Sequence, residues 1–328
     1  MQLAGIGNGA IMKKLLWFLL LAAGGLWVGN TSAFSSFPPA ERPRLLAHRG
    51  AHQTFDKTGL DGQSCTADRI GTPHHDFLEN TIRSMQASFE AGADIVELDV
   101  HLTPDKQFAV FHDGKLECRT DRKGITEQTP MAVLKTLDIG YGYTFDGGKT
   151  FPFRGKGVGQ MPTLTEVLDT FPKGRFLINF KSDRREEGEA LAALLKTNPA
   201  YRKQVAAVYG DDIPTDAALA GIEGMTGFTN RSARACLLEY LAMGWTGYVP
   251  EICRDRLVTV PSNLAFLLWG WPQRFYGRMQ AHGAEIVLMG DYHPGNAGVS
   301  GIDRPEDRRR IPPGFPGYVW TNEILSWR

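Results

Sequence analysis

The sequence of 328 residues has few cysteines, no excess of either charge and no glycine-rich nucleotide-binding turn. Its 36 basic and 36 acidic residues cancel at pH 7, and no basic stripe is visible, which argues against nucleic-acid binding. The four cysteines include no CxxC pair, so zinc ligation by cysteine is not expected. The lack of a GxGxxG turn disfavours a dinucleotide-binding fold. What remains is an ordinary globular composition, with 42% hydrophobic and 22% charged residues.

A short apolar run near the N-terminus differs from the rest of the chain. Lys13 and Lys14 precede the uncharged stretch 15–28, and the small residues of 31–33 follow it. This order is typical of an export signal, and the stretch is shorter than the roughly 20 residues of a transmembrane helix. An uncleaved N-terminal anchor is the alternative. We therefore expect residues 1–33 to be a signal peptide or a membrane anchor. The remainder would then be periplasmic or secreted, and the anchor would associate it with the membrane.

Strand-like apolar runs alternate with helical stretches along the remainder of the chain. The pattern predicts strands at 44–48, 94–101, 108–112, 176–181, 204–209, 224–228, 247–249, 285–289 and 318–321. It predicts helices at 80–91, 131–137, 164–169, 185–197, 231–243 and 263–282. Alternation of this kind predicts a parallel sheet. About eight strand–helix units favour an α/β fold, a single (β/α)8 TIM barrel over residues 40–328.

Polar side chains are placed unusually at the ends of these strands. Glu97 and Asp99 lie two apart in a buried apolar strand, so both carboxylates share one face. A buried pair of like charges requires a cationic partner. His48 ends the first strand and His112 ends the hairpin that follows Asp99. Because catalytic residues of this barrel lie at the carboxyl ends of strands, these side chains are expected to form one site.

Six short motifs carry a resemblance to a known family. They are His48-Arg49-Gly50, Glu79-Asn80-Thr81, Glu97-Leu98-Asp99-Val100, Thr103-Pro104-Asp105, His112-Asp113 and Pro162-Thr163-Leu164, followed by a weaker match at Val319-Trp320-Thr321-Asn322. In this order and spacing, residues 44–182 resemble the glycerophosphodiester phosphodiesterase family. The resemblance implies a (β/α)8 barrel that hydrolyses phosphodiesters with a divalent metal and two histidines.

The resemblance also implies roles for single residues. Glu97 and Asp99 would bind Ca²⁺ or Mg²⁺, which prefer oxygen ligands. His48 and His112 would be the acid–base pair, with their assignment to base and acid left open. The cationic side chains Arg49 and Lys181 would bind the substrate phosphate.

Two further positions in the predicted site are less direct. Glu79 would orient the site from the start of the first helix of the barrel. Asn179 departs from the family pattern, which has a glutamate two residues before the lysine. Its carbonyl oxygen could still serve as the third metal ligand, although without charge.

The four cysteines are expected to form two disulfides, because an even number in an exported protein usually pairs. Cys65 follows His48 in a long loop and Cys118 follows His112, so both loops would lie near the site and these two cysteines would pair. Cys236 and Cys253 are close in sequence and would form the second bond.

The expected function is metal-dependent hydrolysis of a small glycerophosphodiester to sn-glycerol 3-phosphate and an alcohol. The alcohol, the metal and the oligomeric state are left open by the sequence. One alternative is a sphingomyelinase D-like phospholipase that acts on intact lipids. The other, suggested by Asn179, is a non-catalytic module that binds headgroups.

Overall fold

The structure is a computed structural model that describes residues 7–60, 64–294 and 300–328. The strands in it are β1 (Arg44–Ala47), β2 (Ile95–Leu102), β3 (Phe108–Val110), β4 (Phe176–Phe180), β5 (Val205–Gly210), β6 (Gly227–Thr229), β7 (Leu257–Pro261), β8 (Glu285–Met289) and β9 (Tyr318–Thr321). The helices are α1 (Gly7–Asn30), α2 (Ile82–Glu90), α3 (Met131–Leu134), α4 (Leu164–Thr170), α5 (Arg185–Thr197), α6 (Pro199–Gln204), α7 (Asp212–Gly221), α8 (Asn230–Met243) and α9 (Gln273–Gln280).

Eight of the strands form a parallel, nearly closed barrel. Their hydrogen-bonded order is β6-β5-β4-β2-β1-β9-β8-β7, and β3 pairs antiparallel with β2 outside this path. In the described part of the chain β6 and β7 lie in contact but share no ladder. The predicted (β/α)8 barrel is therefore confirmed, including the extra hairpin strand after β2.

The seventh strand was predicted at the wrong place. Residues 247–249 form no strand, and β7 is the later run Leu257–Pro261. Both runs are short and apolar, and periodicity cannot rank such runs. The predicted helix at 263–282 is also wrong in its first half, because Gly270 adopts a φ of 81° and Pro272 follows, so α9 begins only at Gln273.

The barrel interior follows the two-residue alternation of its strands. Its apolar floor is formed by Leu46, Ile95, Leu177, Ala207, Phe228, Leu257, Val287, Tyr318 and Trp320. On β2, Glu97 and Asp99 continue the face that begins with Ile95, and Asn179 pairs in register with Asp99. The next inward-facing layer above the apolar floor is therefore polar, and this layer is the candidate site.

The helix after β1 begins two residues later than the predicted start at Asn80. Thr81 caps α2 reciprocally with Ser84, each side chain accepting from the other residue's backbone N–H. Gly92, at a φ of 92°, follows the end of α2. This cap fixes Glu79 and Asn80 directly beside the end of β1.

Helix α1 lies outside the barrel, with its side chains from Ile11 to Val28 exposed. Residues Ile11–Asn30 are long and apolar enough to cross a membrane, judged by length and composition.

Candidate active site

The two carboxylates of β2 are fully buried in the polar layer. Glu97 accepts hydrogen bonds from the Tyr209 hydroxyl at 2.6 Å and from the backbone N–H of Arg49 at 2.8 Å. Asp99 accepts from the side-chain amides of Asn80 and Asn179, both at 2.8 Å. Burial, and then the charge of Asp99, raise the pKa of Glu97. The pair is therefore short of positive charge, which a proton or a cation would supply.

Arg49 lies among three carboxylates directly after β1. Its guanidinium donates to Glu79 at 3.1 Å, and its Nε lies 3.4 Å from Asp99 Oδ2. The backbone turn that places it is tight: Arg49 has a φ of 55° and Gly50 a φ of 75°. A Cβ atom at Gly50 would lie 2.6 Å from the Ser84 hydroxyl and 3.1 Å from its backbone carbon, so only glycine allows β1 to approach the start of α2 this closely.

His48 is buried with a fixed orientation. Its Nδ1 pairs with Asn322 Oδ1 at 2.7 Å, and its Nε2 accepts from Arg49 Nε at 3.2 Å. Asp303 accepts from the Asn322 side-chain amide at 2.9 Å, which leaves the Asn322 oxygen as the acceptor toward His48. Burial and then Arg49 hold the pKa of His48 well below its usual value. His48 is therefore a neutral imidazole with its proton on Nδ1 and an unprotonated Nε2.

His112 reaches the same layer from the opposite side through the β3 hairpin. Its Nδ1 lies 2.6 Å from Asp113 Oδ1, and its Nε2 lies 3.1 Å from Lys181 Nζ. Burial, Arg49 and Lys181 lower the pKa of His112. The two histidines thus differ in their support, since a carboxylate backs His112 and a neutral amide backs His48.

Glu79 is held between two arginines. It accepts from Arg49 at 3.1 Å and from Arg119 at 3.0 Å, and although burial opposes ionisation, these two guanidiniums lower its pKa. Arg119 is itself 1% exposed and also bonds Asp113, so it links the Glu79 side of the site to the support of His112. Sequence reasoning missed Arg119, because a buried arginine in a loop has no local signature.

Lys181 and Asn179 end β4 beside Asp99. Lys181 Nζ lies 3.8 Å from Asp99 Oδ1. Asn179 presents its amide nitrogen to Asp99, and its oxygen faces Gly210, where an added Cβ would lie 2.8 Å away. Asn179 is therefore placed beside the predicted metal ligands as a hydrogen-bond donor. Tyr209, which sequence reasoning also missed, occupies the next inward strand-end position, so the strand-end rule itself could have found it.

Both predicted cysteine pairs are bonded in the structure. Cys65–Cys118 has a Cα separation of 5.5 Å and lies next to Arg119. Cys236–Cys253 joins α8 to the turn before β7, with a Cα separation of 5.0 Å. The first bond therefore ties together the two loops that surround the site, and the second lies in the outer layer.

A second group of potential metal ligands lies beyond the carboxylate pair on β2. His101, Glu127 and Glu187 each place one ligand atom within 4.8 Å of the others. Within the described residues, His101 Nδ1 and Glu187 Oε2 are buried without a hydrogen-bond partner. Within the described residues this cluster is a group of three possible ligands, whereas Glu97 and Asp99 are the two carboxylates that adjoin both predicted catalytic histidines.

Residues 48–207 match the sequence model of the glycerophosphoryl diester phosphodiesterase family. Over these residues, just under half of its length, the chain is similar to this family. Among curated relatives, the glycerophosphodiester phosphodiesterase of Bacillus subtilis is 35% identical over 130 residues, which are 37% of this chain and 43% of the relative. Human lysophospholipase D GDPD1 is 29% identical over 202 residues, 60% of this chain and 55% of the relative. The chain spans about two fifths of the length of the first curated relatives that it matches.

Solved structures of the family share the barrel. The glycerophosphoryl diester phosphodiesterase domain of Rv2277c from Mycobacterium tuberculosis aligns with a TM-score of 0.61 and 17% identity, covering 87% of this chain and 98% of the domain. A phosphodiesterase from Oleispira antarctica, solved with the product sn-glycerol-3-phosphate, aligns with a TM-score of 0.51 and 17% identity, covering 87% of this chain and 95% of that chain. At these identities the likeness concerns the fold.

Proposed function

We propose that the chain hydrolyses glycerophosphodiesters to sn-glycerol 3-phosphate and an alcohol. The observation that carries this proposal is the pair of histidines, His48 buried and His112 partly buried, whose Nε2 atoms contact Arg49 and Lys181 in one polar layer. Cationic donors suit the charge of a phosphodiester, and two imidazoles suit the two proton transfers of its hydrolysis. The names of the relatives and the product complex of the Oleispira enzyme support the same substrate class.

The different supports of the histidines suggest their roles. His48 is neutral, and its Nε2 would accept the proton of the attacking hydroxyl, either from water or from the neighbouring glycerol hydroxyl. The new bond forms from this oxygen to phosphorus. The bond to the alcohol oxygen breaks as His112 donates its proton there. If the glycerol hydroxyl is the nucleophile, the product of this step is a cyclic phosphate, and a second step in which water attacks phosphorus opens it to sn-glycerol 3-phosphate. The acid must begin protonated. The carboxylate of Asp113 would stabilise an imidazolium at His112, whereas the neutral amide of Asn322 gives His48 no such charge.

Arg49 and Lys181 would bind the phosphate oxygens in this scheme. Lys181 Nζ and Arg49 Nε now contact His112 and His48, so a bound phosphate would take over these donors and free both Nε2 atoms. Its negative charge would also favour the protonated form of His112. Glu79 and Arg119 would hold Arg49 and Asp113 in place for this exchange.

Glu97 and Asp99 would hold a divalent cation, Mg²⁺ or Ca²⁺. The fit is supported by the raised pKa of Glu97, which marks a carboxylate pair short of positive charge. Asn179 fits less well, because it presents its amide nitrogen and would have to turn over to offer oxygen. When bound, the cation would neutralise phosphate charge and polarise the phosphorus–oxygen bonds.

The compartment is part of the proposal. The exposed apolar helix α1 and two disulfides support a protein exported to the periplasm or secreted.

A second candidate substrate is a lysophospholipid. The match to human lysophospholipase D GDPD1 favours it, because 202 residues align at 29% identity, against 130 residues at 35% for the Bacillus enzyme. The same site would serve both substrates, because the leaving alcohol is the same and only the acyl chain carried on the glycerol would differ.

The test is product release from glycerophosphocholine by the purified chain. His48→Asn and His112→Asn should each lower kcat by about 10²–10⁴-fold, the usual contribution of general acid–base catalysis. His282→Asn is the matched control, since this histidine lies after α9 and its side chain bonds only the Arg278 carbonyl among described residues. Near-normal kcat in either site variant, with a normal fold, would remove that histidine from the mechanism.

A further inference from the structure

Helix α1 is joined to the barrel by its C-terminal end. Arg278 of α9 donates to the Gly29 carbonyl at 2.9 Å and to the Asn30 side chain at 3.1 Å. Asn30 in turn donates to the Trp245 carbonyl at 2.8 Å. The end of the apolar helix is therefore part of the hydrogen-bonded structure of the barrel.

Ser32 strengthens this joint at the start of α9. Its hydroxyl accepts from the backbone N–H groups of Gln273 and Arg274, at 3.1 and 3.2 Å, and donates to the Gly270 carbonyl at 2.7 Å. Helix α9 has no side-chain cap from its own N-cap residue, so Ser32 satisfies two of its otherwise unpaired donors. Cleavage after Ala33 would remove this cap and the contacts of Gly29 and Asn30 together.

Apolar side chains of the barrel lie exposed at the same joint. Phe266 is 73% exposed and Leu267 47%, and both line a groove whose other wall is Leu26 and Trp27 of α1. Trp245, whose backbone carbonyl accepts from Asn30, is itself 47% exposed. We call Trp245, Phe266 and Leu267 the anchor-side patch. It begins where the apolar helix ends, so the two apolar surfaces are continuous.

We propose that α1 is retained as a membrane anchor and that the anchor-side patch lies in the interfacial layer of the lipid bilayer. A helix of this length crosses the hydrocarbon core, and the continuous patch then meets the headgroup region, where aromatic side chains are favoured. Lys13 and Lys14 at the opposite end of α1 place that end in the cytoplasm, so the barrel lies outside. A bilayer therefore covers the patch.

The test uses the full chain reconstituted in phosphatidylcholine vesicles that contain a shallow spin-labelled lipid. A fluorescent label is attached at Phe266→Cys, and the matched control carries it at Ile213→Cys, an exposed apolar position on α7. We expect the label at 266 to lose fluorescence to the quencher and the label at 213 to keep it. Intact mass of the chain purified from membranes should include residues 7–33.

Two results would overturn the proposal. A mature chain that begins after residue 33 would show that α1 is a cleaved signal. Equal quenching at 266 and 213, in a chain that retains α1, would show that the patch does not contact lipid.

Discussion

At the residue scale, the side chain of Asn179 has the largest expected effect on cation binding at the site. It pairs with Asp99 as a neutral donor, where an acidic residue would add a third charge. We predict that Asn179→Asp binds Mg²⁺ or Ca²⁺ roughly tenfold more tightly, because one more carboxylate lies against the cation. Titration calorimetry measures this affinity. Without metal the variant should also unfold at a lower temperature, since it places two carboxylates side by side.

The second cluster supplies the control for this residue. Glu187→Gln alters the His101–Glu127–Glu187 group and leaves Glu97 and Asp99 unchanged. If Asn179→Asp leaves the affinity unchanged while Glu187→Gln abolishes binding, the cation belongs to the second cluster and not to the pair on β2.

Single residues also show what the sequence could predict. The structure brings together His48, Glu97, Asp99, His112 and Lys181. Each is a polar side chain within an apolar strand or just after one. The orientation of Asn179 depends on which of its two ends faces Asp99, and no sequence pattern encodes that. Arg119 is held by Glu79, Asp113 and Thr66 from separate segments, so its burial is a product of tertiary structure.

At the scale of elements, the loops over the barrel mouth depend on one disulfide. Cys65–Cys118 closes a separation of 53 residues and fixes the loop that carries Arg119. Cys236–Cys253 closes only 17 residues, between α8 and the turn before β7. Chain entropy makes the first bond worth roughly 4 kcal/mol and the second about 3 kcal/mol.

The two disulfides should therefore differ in function more than in stability. We predict that Cys65→Ser with Cys118→Ser lowers both the free energy of unfolding and kcat. Without the disulfide, Arg119 is no longer held in the position from which it donates to Glu79 and Asp113. Cys236→Ser with Cys253→Ser should lower the free energy of unfolding alone. Denaturant titration and turnover of glycerophosphocholine separate the two effects. Equal kcat for the two double variants would disprove the coupling of the first bond to the site.

Sequence patterns predict the positions of several strands but not the position of β7. β8 and β9 have the predicted bounds, β1 and β4 differ from the prediction by one residue at one end, and β2 differs by one residue at both ends. Each carries a distinctive apolar run. β7 was misplaced because two short apolar runs, 247–249 and 257–261, compete for one position, and only the pairing of Leu257–Pro261 with β8 decides between them. Pairing partners of a parallel sheet are distant in sequence, which is why local patterns fail there.

At the scale of the whole molecule, the barrel and α1 form one structural unit that would be held at a lipid surface. The alternation of strands and helices predicts the barrel, and the basic and apolar residues of 13–28 predict the exported segment. The joint between them could not be predicted, because it brings Asn30 and Ser32 against residues more than 200 positions away.

A barrel seated on the bilayer should act differently on soluble and membrane substrates. We predict that Phe266→Ser with Leu267→Ser lowers kcat/KM for lysophosphatidylcholine in vesicles and leaves kcat/KM for soluble glycerophosphocholine unchanged. The patch would contribute by holding the barrel at the lipid surface, and neither residue contacts the histidines or β2 carboxylates of the site in the described structure. Ile213→Ser, at an exposed apolar position on α7, is the control and should change neither rate. If the double variant lowers both rates equally, the patch supports the fold of the barrel. If it lowers neither, the membrane surface does not deliver the substrate.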